Sequence, residues 1–158
     1  MDPLTAFTHS GLIATFAGIV CWAGITDCRS YTIPNRLPAA VVLLYPAFVL
    51  TAPQGVDWMQ AVLSAVLVFA IGAVFFSRGW MGGGDVKLMA AAMLWASPAF
   101  GFVFLAGTAL AGGILAAGHI LRRRLAAANG AQAAPAALPY GAAIAAGGLI
   151  VAALMQIG

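Results

Sequence analysis

The sequence is poor in charge. Only 7% of its 158 residues are charged, and none of them is a glutamate, whereas a soluble domain has about 25%. Hydrophobic residues make up 63% of the chain, and 19 glycines come in addition. Eleven charged side chains cannot cover the surface of a soluble protein of this length. The shortage excludes a soluble globular domain and a disordered chain, and it predicts an integral membrane protein.

Cysteine and histidine are also scarce. Cys21 and Cys28 lie seven residues apart and do not form a CxxC pair. On a helix they would be about 10 Å apart, which is too far for a disulfide. His9 and His119 have no neighbour at the spacing of metal ligands. The sequence therefore predicts no disulfide, no metal site and no cofactor.

The chain is too short for a second domain. A membrane helix takes about 20 residues, so five or six of them would use most of the sequence. We therefore expect a single membrane domain over residues 1–158, with any chemistry in the helices or in their short connections.

Apolar runs predict where the helices lie. Residues 88–121 contain no charge, but one helix over this stretch would be about 51 Å long, against a bilayer core of about 30 Å. We expect it to break at Ser97-Pro98. The result is an all-α protein with six transmembrane helices. Five lie near residues 11–26, 38–52, 58–76, 98–121 and 136–157, and the fourth is a short span of about twelve residues that starts near Asp85 and ends at Ser97.

The basic residues predict the orientation. All seven lie in the first, third and fifth connections, which fall on the same side of the membrane. Lysine and arginine favour the cytoplasmic side, so both termini are expected outside and the protein in the inner membrane. Their position beside apolar runs fits topology and lipid contact, not nucleic-acid binding. They are Arg29 and Arg36, then Arg78 and Lys87, then Arg122, Arg123 and Arg124.

Two of the four aspartates are candidates for chemistry. Asp2 is terminal, and Asp57 is expected to cap the third helix. Asp27 ends the first predicted span and Asp85 begins the fourth, so both lie at the cytoplasmic boundary. Either one alone fits a solvated residue at a helix end. Two acids at one depth, in spans with no other carboxylate, indicate a functional site.

The residues around each acid are distinctive. Gly82-Gly83-Gly84 directly precede Asp85, and consecutive glycines allow unusual backbone angles and the close approach of another chain. We expect a loop that brings an extended peptide near the carboxylate. After Asp27 comes Ile33-Pro34-Asn35, in which the proline favours an extended Ile33 and Asn35 is expected to cap the next helix.

A pair of carboxylates can hydrolyse a peptide. Two acids that share a site cannot both ionise readily, so they hold one proton between them. The ionised partner takes a proton from water, and the protonated partner donates to the scissile carbonyl. This chemistry requires neither a metal nor a covalent intermediate.

These motifs resemble the type IV prepilin peptidases. Members of that family are polytopic aspartic peptidases with a second aspartate in a Gly-x-Gly-Asp motif, here Gly82 to Asp85, and a first aspartate before an Ile-Pro-Asn segment. The presenilin group shares the glycine motif but has tyrosine where this chain has Thr26. The resemblance implies that Asp27 and Asp85 are the catalytic pair. It also implies that the enzyme removes the basic leader of prepilins at the cytoplasmic face, after a glycine that precedes an apolar helix.

The resemblance further implies a short family member. Long members carry an N-methylating domain with paired CxxC motifs, which this sequence lacks, so no methylation and no structural zinc are expected. Short members act on Flp-type pilin or pseudopilin precursors, and the archaeal preflagellin peptidases are similar. The sequence leaves open which branch applies and which oligomeric state the protein adopts. The residues implied to bind substrate or form the active-site loop are Gly82, Gly83, Gly84, Lys87, Ile33, Pro34 and Asn35, with an interfacial anchor as the other interpretation of Lys87.

Two functions of other classes remain as alternatives. A small proton-coupled transporter or channel could use Asp27 and Asp85 as relay groups, but relay acids usually lie near mid-membrane or line a path across it. A scaffold without catalysis would not need the paired motifs.

Overall fold

The computed structural model describes residues 2–53, 55–129 and 138–157, and of Ser97 only the backbone. All regular structure in these ranges is helical, so the predicted all-α class is confirmed. The helices are α1 (Pro3–Ser30), α2 (Arg36–Thr51), α3 (Trp58–Ser77), α4 (Gly83–Ala128) and α5 (Tyr140–Ile157).

Local sequence explains several helix ends. Asp57 caps α3 as predicted, since its carboxylate accepts a hydrogen bond of 3.1 Å from the Gln60 N–H. The predicted cap of α2 is wrong, because Asn35 precedes the helix but its side chain makes no capping bond. Pro38 lies in the first turn of α2, where a proline is tolerated. Helix α1 ends at Tyr31, which adopts a left-handed conformation with φ of 51°.

The stretch around Pro98 divides into two segments, as predicted. Helical residues run without a gap from Gly83 to Ala128, and a separate candidate membrane span begins at Pro98. In a straight helix Asp85 and Arg122 would be about 55 Å apart. Both instead line cavities that also include Tyr31. The chain therefore doubles back within α4.

Pro98 is where this reversal occurs. The methyl group of Met93 lies 2.6 Å from the position that a Cβ on Gly101 would take, although a straight helix would separate the two residues by about 12 Å. Proline removes one backbone donor and clashes with the preceding turn, which bends the helix there. We call residues 83–97 α4a and Pro98–Ala128 α4b.

Glycine and alanine let the helices pack closely. Added Cβ atoms on Gly24 and Gly148 would lie 2.8 Å from Ala145 and 3.4 Å from Val20, so α1 and α5 are in close contact. Gln156 donates to the Ser10 carbonyl at the other end of the same pair, which makes the two helices antiparallel.

The core is centred on an aromatic side chain of α4a. Trp95 is fully buried, stacks on Phe16 with ring centroids 4.6 Å apart, and donates from Nε1 to the Val41 carbonyl at 2.9 Å. The segment that begins with Asp85 is thus fixed against both α1 and α2.

The lengths of the helices confirm the six-span prediction only in part. Four segments are long and apolar enough to cross a membrane: α1, α3, α4b and α5. Helix α2 has 16 residues, and α4a is of similar length. Large apolar side chains are exposed on α3 and α4b, as expected where lipid is the solvent. The protein is a membrane protein, and its orientation stays a prediction.

Candidate active site

The C-terminal end of α1 carries the first acid. Asp27 is 4% exposed, and its Oδ2 accepts a hydrogen bond of 2.7 Å from the Gly141 N–H. Gly141 lies in the first turn of α5, where backbone N–H groups have no partner within the helix and a negative charge is favourable. The carboxylate and the helix terminus therefore satisfy each other.

Close packing makes glycine necessary at position 141. A Cβ there would lie 2.9 Å from both the Cβ and Oδ2 of Asp27, and 2.6 Å from Cδ1 of Ile33. In the sequence Gly141 is one of several glycines and alanines of the last predicted span. Its N–H is a contact to a candidate catalytic group that sequence reasoning missed, because nothing local distinguishes it from a packing glycine.

The first turn of α4a carries the second acid. Asp85 is 9% exposed, and its Oδ2 accepts a hydrogen bond of 3.2 Å from the Gly82 N–H. Its Oδ1 is buried and has no hydrogen-bond partner among the described residues. An unpaired buried acceptor costs about 1–3 kcal/mol, so this oxygen is suited to a water molecule or a substrate group.

The three glycines before Asp85 have separate steric roles. A Cβ on Gly82 would lie 2.8 Å from the Asp85 carboxylate, and one on Gly83 would lie 3.3 Å from the Phe76 ring. A Cβ on Gly84 would lie 3.0 Å from the Ile33 Cβ and 3.2 Å from its carbonyl oxygen. The space at Gly84 is thus taken by the Ile33 segment of the same chain, and the close approach of a substrate peptide stays a prediction.

The expected extended loop is wrong. Gly83 and Gly84 form the first turn of α4a, and only Gly82, with φ of −70° and ψ of 144°, is extended. None of the three has a positive φ; among the described glycines Gly79 does, at 71°. The motif needs glycine for space at a helix start and not for unusual backbone angles.

Of the three residues of the Ile-Pro-Asn segment, only Ile33 lies between the two acid motifs. Ile33 is buried and contacts the positions of both Gly84 and Gly141, so it packs between the Asp85 and Asp27 motifs. Asn35 instead accepts a hydrogen bond of 2.9 Å from Lys87 Nζ. Asn35 and Lys87 line an apolar cavity that does not include either acid, and Pro34 lines neither cavity.

Both acids line one cavity of about 440 Å³. Its wall comes from the end of α1, the α3–α4 connection, the start of α4a and the start of α5. In the part of the chain that the structure describes, no lysine, arginine or histidine lines this cavity. Two carboxylates without a cation between them share a proton most readily, which suits general acid–base chemistry. The lining residues are Asp27, Tyr31, Gly79, Trp80, Met81, Gly82, Asp85, Leu138 and Tyr140.

Three aromatic residues of this cavity were missed by sequence reasoning. Tyr31, Trp80 and Tyr140 lie far apart in sequence and have no common motif. Tyr31 had one usable signal, since it follows Asp27 by four residues, about one helical turn. Its left-handed backbone is uncommon outside glycine and asparagine, and such residues are found preferentially at functional sites.

The fold and the cavity define a polytopic helical membrane protein with a buried pair of carboxylates at one end of its bundle. A sequence model described as the type IV leader peptidase family matches residues 14–117, about two thirds of the chain. The chain belongs to this family of peptidases, as its motifs predicted. The match includes Asp27 and Asp85 and ends before α5. No curated protein and no solved structure matches the chain.

Proposed function

We propose that this protein is a membrane-embedded aspartic endopeptidase that removes the leader of type IV prepilins, with Asp27 and Asp85 as its catalytic pair. The observation that carries the proposal is that the two acids, 58 residues apart in sequence, line the same cavity. Family membership supplies the class of substrate.

The mechanism follows from the surroundings of each carboxylate. The Gly141 N–H fixes one oxygen of Asp27, and the Gly82 N–H fixes one oxygen of Asp85. Both bonds use the Oδ2 atom, so the Oδ1 atom of each acid takes no part in them. A water molecule between the two loses a proton to the ionised carboxylate, while the protonated one donates to the scissile carbonyl. The protonation equilibria belong to the pair and not to one residue.

The location of cleavage is part of the proposal. We place the cavity at the cytoplasmic face of the inner membrane, because basic residues flank it at the ends of three helices: Arg29 in the last turn of α1, Arg36 at the start of α2 and Arg78 at the end of α3. There a substrate changes from a soluble leader to a buried apolar helix, and the cut falls after the glycine that precedes the helix.

We further propose an Flp-type pilin or pseudopilin precursor as the substrate, cleaved without N-methylation. The support is the short-form resemblance, since the sequence has no paired CxxC motifs of the kind that the N-methylating domain carries. Transport receives no such support, since both acids lie at the same end of the helical bundle.

The test is processing of a prepilin by the purified protein in lipid nanodiscs, followed by mass spectrometry of the product. Asp27→Asn and Asp85→Asn each keep the size of the side chain but cannot share the proton, so each should reduce cleavage by at least about 10³-fold. Asp57→Asn is the matched control, since asparagine also caps a helix. Near-normal cleavage by either of the first two variants contradicts the proposed pair.

A further inference from the structure

A second cavity adjoins the one that holds the acids. It has a volume of about 340 Å³ and lies between the end of α1 and the middle of α4b. Tyr31 and Leu138 line both cavities, so the two meet at these side chains. Its lining residues are Cys28, Tyr31, Ile114, Leu115, Gly118, His119, Arg122, Leu138 and Pro139.

The two ends of this second cavity differ in chemistry. On α4b, Ile114 is 74% exposed and Leu115 also has an exposed apolar surface. One to two turns further along, His119 and Arg122 line the cavity. Nε2 of His119 is buried without a hydrogen-bond partner among the described residues. A buried polar atom of this kind is expected to pair with a group that enters the cavity.

We propose that this second cavity is the subsite for the residues that directly follow the cut, which begin the apolar helix of the substrate. The inference rests on the proposed function. A peptide bond held between Asp27 and Asp85 has its next residues within reach of Tyr31, where the second cavity begins. Ile114 and Leu115 then contact the apolar side chains, and His119 Nε2 pairs with a backbone group of the substrate.

Charge gives the direction of the substrate. Arg122 lines the second cavity, and Arg123 and Arg124 follow it in sequence. Like charges repel, so a basic leader is disfavoured here and the apolar side of the cut is admitted. The leader therefore leaves on the side of the α3–α4 connection. No described lining residue of the first cavity is cationic there, and Arg78 at the end of α3 is one positive charge against the three of residues 122–124.

A larger apolar cavity of about 660 Å³ does not compete for this role. It is lined by α2, α3 and the Ala90, Ala91 and Leu94 face of α4a. At 100° per residue these positions are about half a turn away from Asp85 around the helix. A substrate helix in that cavity would be separated from the acids by α4a itself.

Two glycines of α4b provide the matched test. A Cβ at Gly118 or at Gly113 would have no atom within 4 Å, so both positions have space for a side chain. Only Gly118 lines the second cavity. Leucine at either position should favour the helix. Gly118→Leu fills the subsite. We expect kcat/KM for prepilin cleavage to fall about tenfold or more, mainly through a higher KM. A fall of this size corresponds to the loss of at least one side-chain contact with the substrate. Gly113→Leu should stay within about twofold.

Substrate variants identify which side of the cut the cavity binds. Replacing the large apolar residues just after the cut by alanine should restore cleavage by Gly118→Leu. Shortening the leader should not. If Gly118→Leu cleaves the prepilin with the shortened leader but not the alanine-substituted prepilin, the cavity binds the leader and the inference is overturned.

His119 supplies a second variant in case Gly118→Leu does not accumulate in the membrane. His119→Leu should raise KM, while His119→Gln, which keeps a side-chain N–H, should recover it. Equal cleavage by wild type, both glycine variants and His119→Leu overturns the subsite and leaves the peptidase function intact. Failure of the wild-type protein to cleave any prepilin would instead overturn the proposed function.

Discussion

The contact between Gly141 and Asp27 gives a quantitative prediction. In Gly141→Ala the new Cβ would lie 2.9 Å from the Asp27 carboxylate oxygen and 2.6 Å from the Ile33 methyl group. Overpacking of a filled site costs about 1–3 kcal/mol. Moving the carboxylate away from the Gly141 N–H also weakens a bond to an ionisable group, which contributes about 1.5–3 kcal/mol. We expect the two effects to overlap and to total about 2–4 kcal/mol.

Activity and stability should both respond to this change. If Asp27 moves from its position, the transition state loses most of this energy, so kcat/KM should fall about 30- to 1,000-fold at 1.36 kcal/mol for each factor of ten. Cleavage in nanodiscs measures the first effect, and the midpoint of thermal unfolding measures the second.

The control for Gly141→Ala is an alanine at an open position. Gly18 of α1 has no atom within 4 Å of an added Cβ, so Gly18→Ala should leave cleavage unchanged and stabilise the helix by about 0.5–1 kcal/mol. Wild-type activity in Gly141→Ala would refute the reasoning, because Asp27 would then not depend on its N–H contact.

Three further variants test other contacts. Gly84→Val should lower the unfolding midpoint and cleavage together, because the branched side chain would displace the Ile33 backbone, whose O and N atoms lie only 3.2 and 3.5 Å from an added Cβ; an unchanged midpoint would refute this contact. Trp95→Phe keeps the stack on Phe16 but loses the bond to the Val41 carbonyl, so unfolding measurements should show a loss of about 1 kcal/mol. Tyr31→Gly removes the left-handed strain and should raise the midpoint while cleavage falls; cleavage equal to wild type would show that the ring does not contact substrate.

Much of the fold could be predicted because membrane helices follow from composition. The shortage of charge and the apolar runs gave the helical class, and two local motifs indicated that Asp27 and Asp85 belong to one site. The contact between Gly84 and the Ile33 segment was not predicted, since the glycines were expected to admit a separate peptide.

The missed features depend on contacts between distant parts of the chain. Gly141 binds Asp27 across 114 residues, and no pattern in α5 marks that glycine. Asn35 has the residue type of a helix cap, but Lys87 takes its side-chain oxygen instead. At Pro98 the predicted division into two spans is confirmed, and only the continuation of helical residues across the reversal was not foreseen.

The two shortest helical segments, α2 and α4a, pack against each other through Trp95 and the Val41 carbonyl, and their length has a consequence for the lipid. A helix of 16 residues extends about 24 Å, less than the hydrocarbon thickness of about 30 Å. In the predicted six-span arrangement α2 and α4a also cross the membrane, and lipid chains must then shorten or water must enter to make up the difference. Water would then reach the substrate peptide bond that lies at the end of the apolar helix. A bilayer of shorter acyl chains is already thin enough for this, so the rate of proteolysis should increase in such lipids.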